Sequence, residues 1–209
     1  MGISITGTPN GSETLTVNPV DNGIYDAAGN EASTSQSNNT VTLNDKTAPT
    51  VTYSPAHNAT GVAVDRNITI TFNEAVRKTD DSALTDSNVD ALITLKTTNA
   101  SGSDIAFEAT IDTDKKVITI NPTSDFSSEQ VVYVAIGATV EDANDNAITA
   151  SSATFTVVDA SATSVTFSPA DGAKDISVNS NVTITFDEAV RKIDDSARSE
   201  EHTSELQSH

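Results

Sequence analysis

VTYSPAHNATGVAVDRNITITFNEAVRKTDDSA, residues 51–83, returns 114 positions later as VTFSPADGAKDISVNSNVTITFDEAVRKIDDSA, residues 165–197. The two align without a gap and share 21 of 33 positions. A repeat of this length is one small domain rather than a short solenoid unit. Within the stretch, Ile68, Ile70 and Phe72 alternate with Thr69 and Thr71. That period of two gives a strand one apolar face and one polar face.

Working outward, the same period recurs through the rest of the first copy. Ile105, Phe107, Ala109 and Ile111 alternate with Ala106, Glu108 and Thr110, and Lys116–Ile120, Val131–Ile136 and Ala153–Val158 are β-branched runs. Asp112–Lys115 (DTDK) separates two of them and predicts a hairpin turn, because Asp bonds its own backbone readily. Ser87–Leu92 predicts one short helical turn capped by Ser87 or Asn88. No long stretch keeps a period of 3.6. Roughly seven strands at this spacing predict an all-β, antiparallel sandwich.

Four segments follow. Residues 47–160 predict one complete sandwich and residues 161–197 the N-terminal part of a second copy. Residues 1–46 predict the C-terminal part of a preceding, related domain, because Asp26–Asn30 (DAAGN) corresponds to Asp142–Asn146 (DANDN) ahead of the next linker. Residues 198–209 (RSEEHTSELQSH) share nothing with the first copy and have no strand period. They resemble the in-frame translation of a sequencing-library adapter and are expected to be unstructured.

Composition narrows the function. The 209 residues carry 30 Asp+Glu against 11 Lys+Arg, a net charge of −19, with no Cys and no Trp. The missing Cys excludes a disulfide scaffold, a thiolate metal site and a Cys nucleophile. The acidity argues against nucleic acid, which needs a basic surface to meet phosphate. No apolar run reaches the roughly 18 residues of a membrane span.

The stretch SPA…TGVAVDRNITITFNEAV, followed about 70 residues on by a D-x-x-x-N turn and a closing strand, resembles bacterial Ig-like domains of the S-layer and adhesin type. The TAPT linker at Thr47–Thr50 is similar to the junctions of their tandem arrays. The resemblance implies tandem Ig-like sandwiches, one complete and two partial, in a bacterial surface or secreted protein. It also extends to copper-binding sandwiches of related shape. Those use His and Met ligands, and here Met1 is the one Met, while two of the three His fall in the tail.

Catalysis finds little support. His57 sits in a Pro-Ala-His-Asn turn, and its counterpart in the second copy is Asp171. Asp80-Asp81 recurs as Asp194-Asp195 behind Arg77-Lys78 and Arg191-Lys192, which a mixed-charge surface turn explains. A hard cation fits better. Asp142, Asn144, Asp145 and Asn146 place oxygen side chains at loop positions 1, 3, 4 and 5, with Ala147 where an EF-hand has Gly. Asp26 and Asn30 repeat part of that set, and Asp45 lies in the adjoining linker. Calcium held between a domain-end loop and a linker is one reading, and an ion-free Asx turn, which Asp and Asn favour anyway, is the other. A carbohydrate platform has only Tyr25, Phe126 and Tyr133 to draw on, and Tyr133 is expected to pack.

The expected role is a non-enzymatic spacer in a large extracellular bacterial protein, an adhesin stalk, whose partners are its neighbouring repeats and a distal ligand. Alternatives are an accessory module of a secreted hydrolase or S-layer protein, and a repeat that itself binds host protein or glycan.

Overall fold

The computed structural model describes residues 6–191. The chain divides into two units, Met1–Asp159 and Ala160–His209. The adapter-like tail lies outside the described residues.

The first unit opens with β1 (Thr14–Thr16) and β2 (Thr40–Thr42), antiparallel with Leu15 opposite Val41. Both strands are solvated. An isolated bridge, Tyr25 to Glu31, brackets the Asp26–Asn30 loop between them.

The complete repeat begins with β3 (Val51–Ser54), β4 (Ala59–Val62), β5 (Ile68–Phe72) and the two-residue β6 (Arg77–Lys78). It continues with β7 (Ile93–Thr97), β8 (Phe107–Ile111), β9 (Val117–Pro122) and β10 (Val131–Ile136). It closes with β11 (Val140–Glu141) and β12 (Ser151–Val157). Among the described residues these form one sheet ordered β3-β5-β9-β8, a second ordered β4-β12-β10-β7, and a small β6-β11 ribbon. Every pairing is antiparallel except β4 with β12. This is the sheet division of an Ig constant-type sandwich, with β4 as an added edge strand.

The alternation read from sequence decides which face turns inward. Ile68, Ile70 and Phe72 of β5, Ile118 and Ile120 of β9, and Val132, Val134 and Ile136 of β10 are buried in one continuous core. Each such side chain contributes about 1.5–3 kcal/mol relative to exposure. Their partners on the outer face are Thr69, Thr71, Thr119 and Tyr133, all half-buried. Tyr133 lies on the outer face of its sheet, half-buried, because Val132 and Val134 take the inward positions on either side of it. Phe126, one of the three aromatics available to a carbohydrate platform, is instead 5% exposed and meets Phe155 edge-on at 5.7 Å, with its N–H donating to Val64 O at 2.8 Å.

The expected turn at Ser87–Leu92 is shorter, a 3-10 turn at Asp90–Leu92 that follows Val89 with no side-chain cap. Asn88 is spent earlier. Its Oδ1 accepts from Thr85 N–H (2.9 Å) and its Nδ2 donates to Ala83 O (3.1 Å). Leu84 and Val89 anchor this segment in the core, each fully buried.

In the second unit, β13 (Val165–Ser168) pairs antiparallel with β14 (Thr183–Phe186). Val165 faces Phe186, as Val51 faces Phe72 at an offset of 114. Left-handed backbone also falls at equivalent places, Asn58 (φ 65°) and Gly172 (φ 74°), a conformation that Asn and Gly adopt most readily. Here Val165, Phe167 and Ile184 are exposed, since no facing sheet covers them among the described residues.

Candidate functional site

Two loops of one design carry the acidic residues singled out by sequence. In the first, Asp26 Oδ1 accepts the backbone N–H of Ala28 (2.9 Å) and Asn30 (2.8 Å), and Oδ2 accepts the Asn30 amide at 2.8 Å. In the second, Asp142 Oδ1 accepts Asn144 N–H (2.7 Å) and Asn146 N–H (2.9 Å), and Oδ2 accepts the Asn146 amide at 2.7 Å. The left-handed fourth residue that closes the turn is Gly29 (φ 87°) in one and Asp145 (φ 64°) in the other. The local fold is thus written by Asp at the first position and Asn at the fifth, which supply acceptor and donor to each other.

Burial separates the two loops. Asp26 is fully solvated, and its bonds from Asn30, Ala28 and Gly29 hold its carboxyl below the usual range. Asp142 is 2% exposed. Burial works against its charge, yet the Asn146 amide, the two backbone N–H groups and the nearby Arg77 guanidinium leave its pKa lowered overall. The Asn146 amide also donates to the linker carbonyl of Asp45 at 3.2 Å, so the loop grips the chain that enters the domain.

Asp142, Asp45 and Glu74 come together there, each offering a carboxylate oxygen within 4.8 Å of the others. Glu74 follows β5 and escaped the sequence reading. Its signal was recurrence: Glu74 and Asp45 return as Glu188 and Asp159 at the same offset of 114. Burial, then the charges of Asp142 and Asp45, push the Glu74 carboxyl up, with Lys116 opposing. Of the remaining predicted ligands, Asn144 stays on the exposed rim and Asp145 turns to Arg77.

The cluster suits a hard cation in donor type and charge. Three of the roughly four lone-pair directions on Asp142 already take N–H donors. Calcium takes about six to eight oxygens, so Asp45, Glu74 and Asp142 would leave much of its shell to water, a weak site. Millimolar Ca²⁺ is expected to raise the Tm of the chain over chelator, as any ligand of the native state must. Glu74→Gln should remove that increment and, in chelator at neutral pH, itself raise the Tm by a degree or two by relieving the crowded charge. An unchanged calcium increment in the variant rules out this set of ligands.

The pH dependence follows from the two directions. A raised carboxyl binds its proton more tightly in the folded state, so Glu74 adds stability as pH falls from neutral through its raised value. A lowered one does the reverse, so the Asp142 contribution is present above the usual carboxylate range and is lost as pH falls through its folded value.

A second cluster is already neutralised. Arg77, half-buried on β6, donates from Nε to Glu141 Oε1 on β11 at 3.2 Å. Its Nη2 lies 2.7 Å from Asp81 Oδ1 and also reaches Asp145. Asp81, Glu141 and Asp145 approach one another as closely as the first trio, but the guanidinium takes the place a metal would fill. Sequence placed Arg77 in a surface turn, since the i,i+4 spacing to Asp81 is all that shows there.

The other candidates do not converge. Tyr25, exposed, donates its hydroxyl to Asn22 Oδ1 at 2.8 Å, far in sequence from outward-facing Tyr133. His57 Nδ1 accepts Thr154 N–H at 3.2 Å, tying the β3–β4 turn to β12. No helix among the described residues is long and apolar enough to cross a membrane.

Residues 45–157 match the family described as bacterial Ig-like domain. No curated protein matches the chain. Among solved structures, it is similar to CopC from Methylosinus trichosporium OB3b at 16% identity, over 55% of this chain and 97% of that one. The TM-score is 0.37, too low for that protein's chemistry to be read into this chain.

Proposed function

This chain belongs to the bacterial Ig-like domain family, and from that premise we propose that it is a non-catalytic spacer segment of a large bacterial surface or secreted protein. The finer reading is an adhesin stalk, in which tandem copies hold a distal binding domain away from the cell. Domains of this family occur in surface proteins, which supports the extracellular placement.

The observation that carries the reading is the linker. Residues 45–50 are tied at both ends rather than left loose. Lys46 N–H donates to Pro9 O at 2.7 Å, Thr47 N–H to Asp45 Oδ1 at 2.7 Å, and Thr50 N–H to Asn73 Oδ1 at 2.7 Å. Pro49 is buried, and its ring fixes one torsion and restricts Ala48. The last tie recurs in the second unit, where Ser164 N–H donates to Asp187 Oδ1 at 2.9 Å. A spacer needs junctions of this kind, and a cation at the Asp45–Glu74–Asp142 cluster would tighten this one further. High negative charge keeps neighbouring stalks apart.

Single-molecule stretching of the chain tests the role. The sandwich from Val51 to Val157 should give way in one cooperative step, releasing about 350 Å of extended chain. Gradual lengthening with no step defeats a load-bearing role. The accessory-module reading predicts the same step but a catalytic or wall-binding domain in adjoining sequence.

A further inference from the structure

Residues 84–92 do more than connect β6 to β7. β8 is the last strand of its sheet, and an outer strand exposes a row of backbone N–H and C=O groups on which another chain can build. Glu108 and Thr110 face Asn121 and Thr119 of β9, and Asp112 N–H donates to Val117 O. The even-numbered amides therefore point to β9, and the odd-numbered ones point outward. Two of those outward amides are taken. Ala109 N–H donates to Asp90 Oδ1 at 2.7 Å, and Ile111 N–H to Asp86 Oδ1 at 2.9 Å.

The two carboxylates are held on a braced segment. Leu84 and Val89 are fully buried on either side of Asp86, and the Asn88 side chain locks the turn from within. The other sheet shields its outer strand β7 differently. Residues 103–105 fold back along it, with Thr97 N–H donating to Ser103 O (2.9 Å) and Ile105 N–H to Leu95 O (3.0 Å). Strands β3 and β4, on the opposite sides, are only four residues long. β8 is thus an outer strand whose amides need separate protection.

We propose that residues 84–92 are a guard, and that Asp86 and Asp90 close the β8 edge to strand addition by a second copy of this chain. An incoming strand must offer carbonyls to the amides of Ala109 and Ile111. It meets two carboxylates there instead, which occupy the donors and repel the carbonyl oxygens. Copies joined in series sit at millimolar effective concentration, so an open edge would pair neighbours even with weak intrinsic affinity. The guard's contacts lie within the sandwich itself, and only the argument from copies in series rests on the spacer reading.

Sedimentation of the full chain over a range of concentrations tests it. Asp86→Ala with Asp90→Ala should strengthen self-association tenfold or more over the parent chain. Asp86→Asn with Asp90→Asn keeps both acceptors while removing both charges, and should behave as the parent. Association unchanged in the alanine pair overturns the proposal. So does equal association in the asparagine pair, which would make net charge the cause. Hydrogen exchange on the unaltered chain gives a reading free of folding effects. The Ala109 and Ile111 amides should exchange slowly, like those paired inside the sheet, and rapid exchange at both overturns the guard.

Discussion

Phe155→Ala is expected to lower the unfolding free energy by about 3–5 kcal/mol, visible as a fall in the urea midpoint. Phe155 is 1% exposed at the centre of β12, between Val132 of β10 and Ala59 of β4. Its ring also receives Phe126 at 5.7 Å and 73°, an edge-on pair worth about 0.5–1.5 kcal/mol beyond the buried area. Alanine removes the ring from a site where three strands and a loop converge. None of them moves freely, so a cavity remains. With total stability of about 5–15 kcal/mol, the loss takes a large share. Phe167 is the internal comparison. It occupies the matching inward position to Tyr53 in the second unit but is 55% exposed, so Phe167→Ala should change the unfolding free energy by no more than about 0.5 kcal/mol. Equal effects at the two positions would mean that the described burial is not what stabilises the chain.

Arg77→Met should cost about 2–4 kcal/mol, through what it strands rather than what it removes. The Glu141 side chain is 9% exposed and faces Arg77 across the β6–β11 ribbon. Without the guanidinium, its charge stays buried beside that of Asp142. Glu141→Gln in the same chain should recover much of the loss, so the double variant is more stable than the two single effects summed. Asp81 and Asp145 also meet Arg77, but their side chains are 72% and 79% exposed. Either aspartate replaced by alanine should shift stability by less than about 1 kcal/mol, as solvated pairs do. Denaturant titration of the five variants separates these cases. Additive behaviour of Arg77→Met and Glu141→Gln would show that the pair does not interact.

Sequence reached the fold through strands whose apolar residues keep a strict period. β5, β8, β9, β10 and β12 all lie where alternation put them, and the DTDK turn closes as expected, with Lys116 and Val117 N–H donating to Asp112 Oδ1. β4 was harder to read. Ala59–Val62 has Thr and Gly in its middle, and what makes it a strand is parallel pairing to β12 from about 95 residues away. β6 and β11 are two residues each, too short for any period to register. The acidic loop was legible because Asp and Asn at positions 1 and 5 close it by themselves. Its surroundings were not, since Glu74 and Arg77 reach it only after the β5 sheet and the β6 ribbon have formed. Phe126 was not assigned to the core from sequence because polarity alone does not tell which side of a loop meets it.

The parallel pairing of β4 with β12 joins the first part of the sandwich to its last. Ala59 lies beside Phe155 and Val62 beside Val157, with Val158 N–H donating to Val62 O at 2.8 Å and Asn58 N–H to Thr154 O at 2.7 Å. Because the two run the same way, the chain enters at one end of the pair and leaves at the other. Once β3 has parted from β5, tension applied through the two linkers would slide β4 along β12 and load these bonds together. An antiparallel pair in this place would open like a zipper, one bond after another. Resistance to pulling is then concentrated at this seam, whose Val62, Phe155 and Val157 side chains also belong to the buried core.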